Sequence, residues 1–197
     1  MFGSFFKTFY YFIAILNIFV ILICCLFIPI FSENCLNFNI NQGEIFISSS
    51  GFAWPIPGYT KITSYYGKRN SPTAGASTFH KGIDIGAPEG TPLIAAVDGA
   101  ITYIGFLGGG GYTITLSKDN MKITYCHVSP LFVVKVGDEL KRGQIIGHVG
   151  PKYVYGVKEN NYKDKNGLPT NGATTGCHLH LGFRVDNQYV NPLDYFN

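Results

Sequence analysis

Charged side chains are sparse in this sequence: Asp, Glu, Lys and Arg make up 14% of 197 residues, with a formal net charge of +3. There is no basic stripe, aromatic-basic alternation or block of like charge, which excludes the usual footprint of a nucleic-acid partner. Helical patterning is missing as well. Outside an N-terminal apolar run, no stretch of ten or more residues repeats its apolar side chains at helical spacing. Gly108-Gly109-Gly110-Gly111 lacks the Gly-Lys-Ser/Thr ending of a phosphate loop, so it reads as a hairpin turn rather than a nucleotide site. The metal-binding pattern His-Glu-x-x-His is also absent.

The one long apolar run lies at the N-terminus. From Thr8 to Phe31 the only strongly polar side chain is Asn17, and the run exceeds the 18 or so residues that suggest a membrane-spanning helix. Leu26-Phe27-Ile28-Pro29-Ile30-Phe31 offers no Ala-x-Ala cleavage pattern. Residues 1–31 are therefore expected to form an uncleaved transmembrane anchor, with a cleaved signal as the alternative. Lys7 before the run and Glu33 after it put the short basic end in the cytoplasm and the C-terminal part outside. Cys24 and Cys25 lie in the run and Cys35 just beyond it, as bystanders or acylation sites.

Residues 32–53, Asn-rich and then Ser48-Ser49-Ser50-Gly51, read as a tether, and a folded domain is expected over 54–197. There, short β-branched and aromatic runs alternate with Gly, Pro, Asn and Asp. The strands expected are Lys61–Tyr66, Thr91–Val97, Ala100–Phe106, Tyr112–Ser117, Lys122–Val128, Gln144–Val149, His178–Val185 and Gln188–Val190. This spacing predicts a compact all-β domain of small antiparallel sheets. Residues 151–175 break the pattern with Lys, Asn, Tyr and Gly. A loop of this length is either functional, here at the rim of a site, or a mobile insertion.

Four of the five histidines fall in three short stretches: His80-Lys81-Gly82-Ile83-Asp84, Tyr125-Cys126-His127-Val128-Ser129 and Gly176-Cys177-His178-Leu179-His180. Imidazole and carboxylate are ordinary zinc ligands, and a catalytic zinc takes three protein groups plus a water. His178 and His180, two apart on a strand, share one face, which turns Leu179 and Leu181 to the core. His80 and Asp84 would be about 13 Å apart on an ideal strand, so a bend or bulge at Gly82 is required if both serve one ion. His148 lies in an expected hairpin and reads as structural.

With these residues in place, the chain resembles the lysostaphin/LytM-type zinc metallopeptidases, which cut the peptide part of bacterial peptidoglycan. The resemblance covers about residues 54 to 197. It runs through Ile62-Thr63-Ser64-Tyr65-Tyr66-Gly67-Lys68-Arg69, His80–Asp84, Tyr125–Ser129, Gly143-Gln144-Ile145-Ile146-Gly147, His178-Leu179-His180 and Asn191-Pro192-Leu193. It implies that His80, Asp84 and His180 hold one zinc ion and that His127 and His178 form an unligated catalytic pair. The implied function is a membrane-anchored endopeptidase acting on stem or cross-bridge peptides outside the cytoplasmic membrane. A non-catalytic wall-binding or regulatory module is the alternative, although all five site residues are present. A lipoyl-type carrier, suggested by Val136–Gln144, lacks the Met-Lys-Met attachment turn.

Three features depart from the family pattern. Gly182 stands where an acidic residue is common, the segment between Gly150 and Thr174 is long, and Cys126 and Cys177 each precede a histidine of the implied pair. If His127 and His178 converge from neighbouring strands, the two cysteines share the opposite face. That leaves two readings: a cross-strand disulfide, or two small buried thiols.

Overall fold

The computed structural model describes residues 45–197. The expected anchor over 1–31, residues 32–44 of the tether and Cys24, Cys25 and Cys35 lie outside the described residues. Twelve strands follow one another: β1 (Ile62–Ser64), β2 (Gly67–Lys68), β3 (Phe79–His80), β4 (Ile83–Gly86), β5 (Pro92–Ile94), β6 (Gly99–Phe106), β7 (Tyr112–Lys118), β8 (Met121–Cys126), β9 (Glu139–Leu140), β10 (Ile145–His148), β11 (His178–Val185) and β12 (Gln188–Val190). Among the described residues the only helical elements are single 3-10 turns at Gly108–Gly110 and Pro192–Tyr195.

All pairings between strands are antiparallel, as the sequence predicts. The main sheet runs β1-β4-β11-β8-β7-β6-β9, and β12 adds to β11 beyond the end of β4. Two ribbons, β10-β5 and β2-β3, complete the domain. β2, β3, β4 and β9 were not expected as strands. Three of them are two residues long, too short for alternation to register.

The core lies under one face of this sheet. Ile83 and Ile85 of β4, Leu179, Leu181 and Phe183 of β11, and Ile123 and Tyr125 of β8 are fully buried. Each such aliphatic or phenyl side chain contributes about 1.5–3 kcal/mol relative to exposure. The Tyr125 hydroxyl accepts the Ala96 N–H at 2.8 Å, which satisfies its buried oxygen. With the odd residues of β11 committed to this core, His178 and His180 face the other way.

The tether reading fails at its C-terminal end. Ser48 Oγ donates to the Tyr195 carbonyl at 2.7 Å, Ala53 N donates to Ala96 O at 2.8 Å, and Phe52 packs on Phe183 and Tyr195. A serine run looks like linker by composition. Here its hydroxyls satisfy the C-terminal carbonyls, and residues 46–53 belong to the fold.

Candidate metal centre

β11 and β4 are registered with His180 opposite Asp84 and Leu181 opposite Ile83. Directly opposed residues point to one face with Cβ atoms about 4.5–5.5 Å apart, so register alone sets His180 beside Asp84. His80 arrives by another route. It ends β3, and the chain bends at Lys81 and Gly82 before entering β4. A Cβ on Gly82 would strike the Leu181 carbonyl and lie 2.8 Å from Cε1 of His180, so a residue without one is required. The expected break at Gly82 is present.

Three atoms converge as a result. His80 Nε2 lies 3.1 Å from Asp84 Oδ1, and His180 Nδ1 lies 2.9 Å from each of them. Tetrahedral zinc bonds of 2.0–2.1 Å imply ligand atoms about 3.3 Å apart, so the triangle is close to the required size. Its chemistry fits as well. His80 Nδ1 is 2.9 Å from the Tyr65 carbonyl, which can only accept, so Nδ1 carries the proton and Nε2 is a bare lone pair. A bare nitrogen facing a carboxylate oxygen at 3.1 Å is unfavourable unless positive charge lies among them. The donor set of two imidazoles and one carboxylate suits zinc, with a position left open.

Asp84 is ionised. Burial opposes this, but its close contacts with the His178, His180 and His80 imidazoles outweigh it and hold the carboxyl well below the ordinary range. Its second oxygen, Oδ2, accepts from Arg69 Nη1 at 3.0 Å, and the same nitrogen reaches Ser64 Oγ. Arg69 thus fixes the carboxylate so that Oδ1 faces the two imidazoles. Tyr65-Tyr66-Gly67-Lys68-Arg69 carries part of the resemblance, but the role of Arg69 rests on its contact with Asp84, which no spacing in the sequence marks.

His127 and His178 lie beside this triangle, with ring centroids 4.7 Å apart. The His178 ring sits on β11 and its Nδ1 donates to the Gly176 carbonyl at 3.0 Å. His127 follows the end of β8 with φ of +58°, and its Nδ1 donates to the Asn171 carbonyl at 2.6 Å. In each neutral ring Nε2 is therefore the nitrogen without a proton, the one placed to act as a base. Burial and the neighbouring His178 and His180 push the His127 pKa down to about 3. Burial likewise lowers His180. His148 ends β10 and does not line the cleft.

The cleft has a volume of about 860 Å³ and all five of these residues line it. The loop after β10 forms part of its wall through Tyr162, Ala173 and Thr175. Asn171, fully buried in that loop, accepts the Tyr112 N–H at 2.8 Å and donates to Val128 O at 3.1 Å, while its own carbonyl holds His127. No sequence signal marks this residue, because a main-chain oxygen makes the contact with His127.

The disulfide reading is overturned. Both Cys126 and Cys177 are free. Cys126 is opposite His180 in the β8–β11 register and faces the cleft, while Cys177 precedes the first residue of β11. The positive φ at His127 breaks strand alternation, so Cys126 and His127 line the cleft together. Burial pushes the Cys126 thiol up to about 12.

The sequence profile of peptidase family M23 matches residues 78–192, more than half of the chain. The chain is 31% identical over 153 residues to the DD-carboxypeptidase/endopeptidase Mpg of Neisseria meningitidis serogroup B, a match covering 77% of this chain and 31% of that protein. It thus spans less than a third of that relative's length. Among solved structures, the catalytic domain of lysostaphin from Staphylococcus simulans aligns at a TM-score of 0.54 and 30% identity. That alignment covers 70% of this chain and 92% of the other. A zinc-containing peptidase from Vibrio cholerae aligns at a TM-score of 0.55 and 26% identity, covering 75% of this chain and 44% of the other.

Proposed function

The chain belongs to peptidase family M23, and from that premise we propose that it is a zinc metalloendopeptidase that hydrolyses peptide bonds in the stem or cross-bridge peptides of bacterial peptidoglycan. The observation that carries this reading is the triangle of His80 Nε2, Asp84 Oδ1 and His180 Nδ1 beside two histidines with bare Nε2 atoms. His80, Asp84 and His180 would hold the ion. When bound, zinc supplies Lewis acidity, which acidifies water and polarises a carbonyl.

The remaining chemistry is proton transfer and charge stabilisation by this chain's side chains. His178 Nε2 lies 3.5 Å from Asp84 Oδ1, so an imidazolium formed there is stabilised by the carboxylate. This supports His178 as the base that takes a proton from the attacking water and returns it to the leaving amine. His127 is buried and stays neutral, and its tautomer is fixed by Asn171. It is assigned the shaping of the other side of the reacting centre, beside His178, whose ring is its neighbour.

The apolar run from Thr8 to Phe31 supports a single-pass anchor in the cytoplasmic membrane, with the catalytic domain on the outer side where the polymer lies. The test is digestion of purified peptidoglycan by the purified chain, with products identified by mass. New peptide termini that vanish with a chelator and in His180→Ala support the reading. Released sugars, or no products from a zinc-loaded chain, contradict it, and the second result favours a regulatory module.

A further inference from the structure

Beyond the metal centre, β11 continues to present alternate residues to the cleft. Gly182 and Arg184 follow His180 on the same face, and Arg184 lies about 13 Å along the strand from it. Tyr189, directly opposite Arg184 on β12, lines the same end of the cleft, as does Lys81 from the bend after His80. The Arg184 guanidinium carbon is 5.4 Å from the Tyr189 ring centroid, and Lys81 Nζ is 4.8 Å from that same centroid. Two cations from different segments thus share one aromatic ring.

Neither cation is paired with a carboxylate among the described residues. Asp84 is taken by Arg69 and the histidines, Asp98 by Lys141 and Asp164 by Lys152. Asp186, at the end of the same strand, accepts from Asn120 Nδ2 at 2.9 Å. Cation–ring attraction is about 0.5–1 kcal/mol at exposed sites, and like charges this close oppose each other. An anion placed between Arg184 and Lys81 relieves that repulsion, and the planar guanidinium offers it paired donors.

The floor between this pair and the metal centre is clear. Gly182 brings no side chain, and its cross-strand neighbour is the short Thr124. An extended peptide advances about 3.3 Å per residue, so a group held at Arg184 belongs to a substrate residue about two to four positions from the bond attacked.

We propose that Arg184, Lys81 and Tyr189 form a carboxylate subsite, which makes the substrate a stem peptide bearing a free acid, such as a diamino-acid carboxyl, and not an uncharged glycyl bridge. The inference rests on the peptidase reading above and assigns its substrate class. Tyr189 keeps both cations in place through its ring, Arg184 grips the carboxylate, and Lys81 adds charge from another segment.

The test compares one stem peptide in two forms, with its diamino-acid carboxyl free or amidated. Calorimetry measures binding of each form to the full chain in detergent, and cross-linked versions are used to measure hydrolysis. The free acid is expected to bind at least tenfold more tightly, and kcat/KM should follow. Arg184→Gln and Lys81→Gln, each checked for an unchanged melting temperature, should bring the ratio towards one, while Arg184→Lys keeps part of it. Equal affinity for both forms, or an acid preference that survives both glutamine variants, overturns the subsite. Selective binding without hydrolysis upholds the subsite and removes the peptidase reading, and hydrolysis without selectivity does the reverse.

Discussion

Arg69 Nη1 donates to Asp84 Oδ2 at 3.0 Å, so the oxygen of Asp84 that faces away from the histidines is already occupied. The carboxylate is thereby left with one oxygen, Oδ1, directed at His80 and His180. Partners that orient a ligand in this way are worth about 10–100-fold in metal affinity or activity. Arg69→Gln is therefore expected to weaken zinc binding by about that factor in a competitive chelator titration, with the fold intact by circular dichroism. Unchanged affinity would remove Arg69 from this role.

Asn171 ties the wall of the cleft to the end of β8. Its side chain makes hydrogen bonds to Tyr112 N and Val128 O in a fully buried setting. In Asn171→Ala, Tyr112 N and Val128 O lose these partners, which costs about 1–3 kcal/mol per group left unsatisfied. The carbonyl that holds His127 remains but is less firmly placed, so kcat should fall more than KM rises. Denaturant unfolding together with steady-state kinetics checks both, and wild-type stability in this variant would contradict the packing described.

The metal-free protein should lose stability in mild acid. His127 has a folded pKa of about 3, below its unfolded value near 6.5, so between these limits the unfolded chain binds the extra proton. Stability therefore falls as pH drops through that window, by up to about 3 kcal/mol between pH 6.5 and 4. Asp84, whose carboxyl is also held low, adds a loss at the acidic end. Thermal melts of the chelated protein and of His127→Gln across this range check the sign. A His127→Gln slope as steep as that of the parent would show that the histidine is not responsible.

Cys126 should resist alkylation in the native protein near neutral pH, since burial holds its thiol near 12 and only the thiolate reacts. After denaturation without reductant, both Cys126 and Cys177 should label, because neither is paired. Peptide mapping by mass spectrometry reads both outcomes. A linked Cys126–Cys177 peptide would contradict the register of β8 on β11.

Much of this arrangement is legible in the sequence because it follows from alternation. The two-residue spacing of His178 and His180 forces a shared face once Leu179 and Leu181 are committed to the core. The break at Gly82 follows because a straight strand leaves His80 and Asp84 too far apart to meet. The parts that were not legible depend on other physics. Alternation ends at His127, whose left-handed φ turns it to the same cleft as Cys126 and removes the basis for a disulfide. The role of Asn171 depends on a main-chain carbonyl, which no side-chain pattern reveals. Residues 46–53 have linker composition, yet three serine hydroxyls bond C-terminal carbonyls that only the folded chain brings near.

The most direct test of the proposed function is a zinc titration of the metal-free chain, with release of peptide termini from peptidoglycan followed at each addition. Activity should rise to a plateau at one equivalent of zinc, and His80→Ala, Asp84→Asn and His180→Ala should neither bind the ion tightly nor release peptide. Stoichiometric binding with no peptide released, or hydrolysis indifferent to zinc and to these substitutions, would contradict it.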